Sequence, residues 1–211
     1  MNAPSDTPSG SHYFSETPSH GSQPGEFSFD IGGTTLTLAT DTGVFSRHGL
    51  DKGTRVLLDV MTGLQTPPPP PGSTLCDLGC GTGAIALALA VLHPDCSVVA
   101  VDVNERARDL CAANAARNNL TNVQVIAPGD FVAHGKLAVI WSNPPIRIGK
   151  EALHDLLSTW LSRLDDDGTA HLVVSKNLGA DSLTAWLNNG VFVARKIASS
   201  KGCRVLGVCR A

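Results

Sequence analysis

Thr74-Leu75-Cys76-Asp77-Leu78-Gly79-Cys80-Gly81-Thr82-Gly83 is the stretch that decides how this chain is built. The run Thr74 to Leu78 reads as a short strand. The three glycines after it let the backbone turn tightly and come close to a ligand. The apolar segment that follows, 83–92, is helix-length, and a helix starting there would present its unpaired N–H groups to whatever binds at the turn. The turn alone leaves two ligands open, because Gly79-x-Gly81-x-x-Ala84 also satisfies the dinucleotide fingerprint in its Gly/Ala form.

Outward from this turn the chain alternates. Strands are expected near 74–78, 97–102, 122–126, 137–142, 169–175, 191–197 and 203–209, and helices near 83–92, 105–118, 150–163 and 179–188. Such alternation implies an α/β fold of Rossmann-like type, a mostly parallel sheet covered on both faces. The last two strands are close in sequence and are expected to pair antiparallel. Upstream, Phe27-Ser28-Phe29-Asp30-Ile31 and Thr35-Leu36-Thr37-Leu38 alternate about Gly32-Gly33, which is a β-hairpin signal. A helix is expected from about Asp51 to Met61, and Pro67 to Pro71 form an extended spacer. Residues 1–25, rich in Ser, Pro, Gly and Thr, read as a flexible tail. The organisation is therefore a tail (1–25), a hairpin–helix–spacer segment (26–71) and a main domain (72–211).

Composition narrows the class. A chain of 211 residues, 42% hydrophobic, suits one well-buried domain. No apolar run approaches the roughly 20 residues of a membrane span, and the N-terminus lacks a secretory pattern, so a cytoplasmic location is expected. The six cysteines show no CxxC pairing and read as buried free thiols. The seven histidines are scattered without ligand spacing, so no metal is expected. All 16 Lys and Arg residues lie beyond residue 46, a basic bias that permits local contact with nucleic acid.

The chemistry is carried by Asn143-Pro144-Pro145, at the end of the apolar run Leu137 to Trp141. Proline fixes its own φ and restricts the residue before it, so tandem prolines hold nearby acceptors in place. The Asn143 side-chain oxygen and the Pro144 carbonyl are candidates to grip the two N–H bonds of a planar amine. That grip favours a pyramidal nitrogen whose lone pair points at a methyl group. Such a site has a role in methyl transfer and none in hydride transfer, which tilts the glycine turn toward S-adenosylmethionine. Asp77 tilts it further, since a carboxylate there repels a pyrophosphate and welcomes an ammonium. Asp102, nineteen residues past Gly83, is placed to accept from ribose hydroxyls. Asp130 and Phe131, after the third strand, are expected at the adenine, by its exocyclic amine and its face. Cys80, Gly83 and Val103 complete the expected cofactor wall.

With these residues in hand, the chain resembles class I S-adenosylmethionine-dependent methyltransferases of the small-domain group. In particular it resembles the ribosomal RNA small-subunit methyltransferase C family, in its short single-domain form. The resemblance runs from near His12 to the C-terminus. Its less generic marks are Thr42-Gly43-Val44-Phe45-Ser46, Asn143-Pro144-Pro145-Ile146-Arg147-x-Gly149-Lys150, Lys176-x-x-Gly179-Ala180 and Lys201-Gly202-x-Arg204-Val205. It implies a seven-stranded sheet with the last strand antiparallel, and methylation of guanine N2 in 16S RNA, free or in the small subunit. It also implies that Asp77, Gly79, Gly81 and Asp102 hold the cofactor and Asn143 the amine. Many amine methyltransferases carry an aromatic residue after the prolines; Ile146 stands there instead, and Phe45 is the expected substitute for stacking on the base. Trp141 reads as core. Arg147, Lys150, Lys176, Lys201 and Arg204 are candidate phosphate contacts. The rival readings are methylation of a glutamine amide on a protein such as a release factor, adenine N6-methylation of DNA, and a non-catalytic module that keeps the fold. The absence of a cysteine after the prolines argues against C5-pyrimidine chemistry.

Overall fold

The computed structural model describes residues 24–41, 49–131 and 135–211. The first 23 residues, and Phe45 with the whole of its motif Thr42 to Ser46, lie outside the described residues.

Strands β1 (Gly25–Ile31) and β2 (Thr34–Thr40) form the expected antiparallel hairpin, with Phe27 facing Leu38 and Phe29 facing Leu36. Gly32 and Gly33 both take positive φ, 56° and 78°, the turn geometry that matches the right-handed twist of the flanking strands. Helix α1 (Lys52–Gly63) follows, capped at its start by the Asp51 side chain, which accepts from the N–H groups of Gly53 and Thr54.

The main sheet has seven strands: β3 (Thr74–Leu78), β4 (Ser97–Val101), β5 (Val123–Ile126), β6 (Leu137–Ser142), β7 (Leu164–Ser175), β8 (Phe192–Ser200) and β9 (Cys203–Arg210). Their order is β5-β4-β3-β6-β7-β9-β8, and every neighbouring pair is parallel except those made by β9. The last strand alone therefore runs against the rest, as the sequence suggested. Helices α2 (Ala84–Leu92) and α3 (Glu105–Arg117) join α1 on one face, while α4 (Lys150–Leu161) and α5 (Ala180–Asn188) cover the other.

Helix α2 is apolar all round and buried from Ala84 through Ala90, so packing on the sheet leaves its outer side to be covered. The hairpin covers it: Phe29, Ile31, Leu36 and Leu38 join the same core as Leu87 and Leu89. Asn114 on α3 and Asn118, the residue that caps its C-terminus, hold the hairpin in place by mimicking a neighbouring strand. Asn114 accepts from the N–H of Ala39 at 2.8 Å and donates to its carbonyl at 3.0 Å, and Asn118 does the same for Thr37 at 3.0 and 3.0 Å. These four bonds satisfy backbone groups on the free edge of β2. Asn114 also donates to the Thr82 carbonyl at 2.9 Å, so the hairpin is coupled to the glycine turn.

Two boundaries differ from expectation. Strand β7 starts at Leu164 rather than 169, because the acidic stretch before Gly168 forms a bulge: Leu137 pairs with Leu164 but Val139 with Thr169. A methyl group at Gly168 would lie 2.7 Å from the Leu137 carbonyl oxygen, so only glycine lets the bulge close. The β8–β9 connection is a two-residue turn, Lys201-Gly202, with φ of 47° and 77°, shorter than the four-residue link read from sequence. The cysteines among the described residues are free thiols; all but Cys209 are buried. No helix among the described residues is long and apolar enough to cross a membrane.

Candidate active site

In open α/β sheets ligands bind beyond the carboxyl ends of the strands, where the strand order reverses. Here the chain moves outward from β3 through β4 to β5, then returns to place β6 on the other side of β3. The glycine turn leaves the end of β3 and Asn143 leaves the end of β6, so both lie at this point. The buried Ser142 hydroxyl donates to the Leu78 carbonyl at 2.6 Å and pins the two strand ends together. Thr54, Gly79, Cys80, Gly81, Thr82 and Asn143 consequently line one pocket.

Gly79, Gly81 and Gly83 have φ of 81°, 53° and 90°, values that favour glycine. At Gly83 glycine is also required by space, since a methyl group would lie 2.6 Å from Sγ of Cys111. The N–H groups of Gly79 and Cys80 both donate to the Val101 carbonyl, at 2.8 and 2.9 Å, and that of Gly81 donates to Asp102 at 2.9 Å. A turn whose amides are already committed is a poor cradle for pyrophosphate. It suits a ligand recognised through hydroxyls and apolar surface, so the residues present fit S-adenosylmethionine better than a dinucleotide. Asp102 also accepts from the Asn104 N–H at 2.9 Å. Burial raises its pKa, and the N–H groups of Asn104 and Gly81 partly counter that. Beyond it opens a cleft of about 510 Å³, lined by Val103, Glu105, Arg108, Ala127, Pro128 and Gly129. Val103 is 41% exposed there, an apolar surface of the kind an adenine ring would cover.

Two expected cofactor residues sit differently. Asp77 is fully buried beneath the turn; one oxygen accepts from the Ala86 N–H at 2.8 Å and the other has no hydrogen-bond partner. Burial pushes its carboxyl up to about 8, against the smaller opposing effect of that N–H. The carboxyl is thus mostly protonated at neutral pH rather than displaying the charge inferred from sequence, because the closing helix and turn exclude water from it. Phe131 has its ring edge-on to Trp160, centroids 5.2 Å apart, with the Arg163 guanidinium 4.7 Å from its own centroid. This packing joins it to the α4 side of the core, and it is not among the cleft residues. Asp130 is exposed beside Gly129 at the cleft edge.

At Asn143, Nδ2 donates to Asp51 at 2.8 Å and to the Thr54 hydroxyl at 3.2 Å. Pro144 is buried, and its carbonyl accepts from the Ile146 N–H at 2.8 Å, an inverse γ-turn that uses one of its two lone pairs. Ile146 packs partly buried against the α4–α5 core. Trp141 is core, 4% exposed. Sequence reasoning missed Asp51, Thr54 and Ser142. A capping signal was visible at Asp51, but nothing local tied it to Asn143.

Of the candidate phosphate contacts, Arg147 and Lys150 are exposed just past the prolines, Lys150 as the first residue of α4. At the end of β7, the Lys176 N–H donates to the Gly202 carbonyl at 2.9 Å and docks the Lys201-Gly202 turn. Lys201 lies 4.0 Å from Asp59, an exposed and weak pair. Lys52, which the sequence reading did not single out, has Nζ 3.6 Å from where a Gly202 methyl would stand. Arg204 is instead committed to Asp181 at the start of α5. Among the described residues no three His, Cys, Asp or Glu side chains form a metal-ligand group.

The sequence profile of the methyltransferase small domain matches residues 35–207. The uncharacterized protein YbxB of Bacillus subtilis (strain 168) is 36% identical over 81% of this chain and 84% of its own length. The ribosomal RNA small subunit methyltransferase C of Ectopseudomonas mendocina (strain ymp) is 30% identical over 87% of this chain, which spans 54% of that relative. Among solved structures, the T. thermophilus 16S rRNA N2 G1207 methyltransferase (RsmC), in complex with AdoMet and guanosine, superposes with a TM-score of 0.76. It is 22% identical and covers 89% of this chain, which spans 51% of it. A ribosomal protein L11 methylase from Lactobacillus delbrueckii subsp. bulgaricus shares the fold at a TM-score of 0.62 and 24% identity. With the glycine turn and the Asn-Pro-Pro loop meeting at one switch point, this chain belongs to the methyltransferase small domain family.

Proposed function

We propose that this protein transfers a methyl group from S-adenosylmethionine to an exocyclic amine, the N2 of a guanine in 16S ribosomal RNA. The observation that carries the reading is the shared wall: Gly79, Cys80 and Gly81 line the same pocket as Asn143. S-adenosylmethionine would supply an electrophilic methyl on a sulfonium, which the amine lone pair would attack as the carbon–sulfur bond breaks and S-adenosylhomocysteine leaves. Gly79, Gly81 and Asp102 would hold the donor, and Val103 and Pro128 line the cleft that would take its adenine. Asn143 Oδ1 accepts one N–H of the guanine amine, and the Pro144 carbonyl accepts the other with its remaining lone pair. With both N–H bonds held, the nitrogen lone pair is directed at the methyl group. Positioning of this kind contributes up to roughly 7–11 kcal/mol in favourable cases. The alkylated nitrogen sheds its proton to water, so the site needs no strong base.

The RNA substrate is supported by the relatives named ribosomal RNA small subunit methyltransferase C and by the lysines and arginine that flank Asn143. Arg147 and Lys150 would take phosphates on one side of the flipped base, and Lys176 and Lys201 on the other. Ile146 would lie against the base edge, with Phe45 as the candidate stacking residue. Ribosomal RNA or the small subunit is then the partner, and the cytoplasm the place of action. The aliphatic Ile146 counts against the glutamine-amide reading.

The test is methyl transfer from labelled S-adenosylmethionine to deproteinised ribosomal RNA, 30S subunits and total protein from a strain lacking this gene. Label recovered as N2-methylguanosine from 16S RNA supports the proposal. Label in protein glutamine would retain the donor and the Asn143 role and overturn the RNA substrate.

A further inference from the structure

A side-chain amide can serve an amine only with its oxygen outward, yet its oxygen and its NH2 have nearly the same shape. Asn143 sits at a half-buried strand end, where either orientation would fit sterically. Its Nδ2 lies 2.8 Å from Oδ2 of Asp51, and an ionised carboxylate can only accept. Turning the amide over would set two acceptor oxygens against each other at that distance. Thr54 Oγ1 at 3.2 Å takes from the same nitrogen, so both of its protons are engaged on the protein side and Oδ1 is left for a ligand.

Asp51 is itself held. The same Oδ2 accepts from the N–H of Gly53 at 2.7 Å and of Thr54 at 3.3 Å, so helix formation in α1 fixes the acceptor before any substrate arrives. Gly53 allows the approach: a methyl group there would lie 3.0 Å from Asp51 Oδ2 and 3.2 Å from both Asn143 amide atoms. Donation to a carboxylate also polarises the amide and strengthens Oδ1 as an acceptor.

We infer that Asp51 is the positioning residue of this site, a helix cap whose oxygen also locks Asn143 with Oδ1 facing the substrate amine. The inference rests on the proposed role of Asn143 and goes beyond it. Capping alone would be served equally by serine. A serine hydroxyl, one bond shorter, caps the helix and does not reach Asn143. Asparagine keeps an oxygen in the Asp51 position.

The experiment compares D51S and D51N with the wild type in three measurements: thermal stability, methylation kinetics on 16S RNA, and the side-chain amide signals of Asn143 in nitrogen-15 spectra. Those signals are assigned with N143A. Expected results are Tm values close to wild type for both variants, and a kcat lowered tenfold or more in D51S with an unchanged KM for S-adenosylmethionine. D51N should recover to within a few-fold of wild type. The Asn143 amide protons should shift and exchange faster in D51S. Equal kcat in D51S and D51N, or an Asn143 amide signal that D51S leaves in place, overturns the inference. The spectral readout needs no turnover, so a wild type that labels no RNA sinks the proposed substrate while this measurement still decides the role of Asp51. G53A is a second variant. It removes no polar group and favours the helix, yet its methyl crowds Asp51 and Asn143, so kcat should fall without loss of Tm.

Discussion

Ser142 Oγ donates a buried 2.6 Å hydrogen bond to the carbonyl of Leu78, joining the end of β6 to the end of β3. The glycine turn begins one residue after Leu78, and Asn143 follows Ser142 directly. This bond extends the β3–β6 pairing, which ends at Asp77 and Trp141, to the residues next to the donor site and the amine site. Replacing Ser142 with Ala leaves a buried carbonyl unsatisfied, at a cost of about 1–3 kcal/mol, or several degrees in Tm for a chain of this size. The variant should also lose kcat more than it loses affinity for S-adenosylmethionine. Calorimetric melting alongside steady-state kinetics checks both effects.

Asn143→Ala removes the acceptor and leaves the glycine turn untouched. Turnover should drop by about 100-fold or more, the scale seen when one preorganised polar group is deleted from a reaction site. Binding of S-adenosylmethionine, followed by titration calorimetry, should stay within a few-fold of wild type. A variant that turns over normally would remove Asn143 from the reaction.

Asp77 makes stability depend on pH. Its folded-state value, about 8, lies above the ordinary 3.8, so the folded protein holds a proton that the unfolded chain releases. The resulting stabilisation is complete below pH 3.8, is lost as pH rises toward 8, and is flat above that. His171 acts in the opposite sense. Burial lowers it from 6.5 to about 4, so its contribution changes only below pH 6.5. Between pH 6.5 and 8 the contribution of Asp77 to the fall should amount to about 1–2 kcal/mol. Melting temperature measured across this window should decline in the wild type and decline less in Asp77→Asn. Equal slopes would show that the carboxyl does not hold its proton.

Lys52, Lys176 and Lys201 lie at the β8–β9 turn, and Lys201 occupies a turn position with φ of 47° that glycine or asparagine would fill more easily. If the substrate is RNA, changing each to Ala should weaken binding regardless of sequence and lower the salt-dependence slope by about one. Arg204→Ala should affect RNA binding less, because its guanidinium is already paired with Asp181. Filter binding over a range of salt concentrations distinguishes the two cases.

Much of this protein was legible in its sequence. Strand–turn–helix chemistry at Thr74 to Gly83, the alternation of β1 and β2 about Gly32-Gly33, and the Asn-Pro-Pro loop are written in neighbouring residues and local periodicity. They determine the class of fold and the two halves of the site. Tertiary packing alone decided the rest. Asp51 meets Asn143 across 92 positions, and Asn114 meets Ala39 across 75, because helices on one face of the sheet bring those side chains to the same strand edges. Asp77 reads as a displayed charge in sequence and becomes a buried carboxyl whose pKa is pushed up in the fold, since α2 closes over it. Backbone conformation is set within a few residues of chain, whereas burial and the choice of hydrogen-bond partner are set by whichever element packs on top.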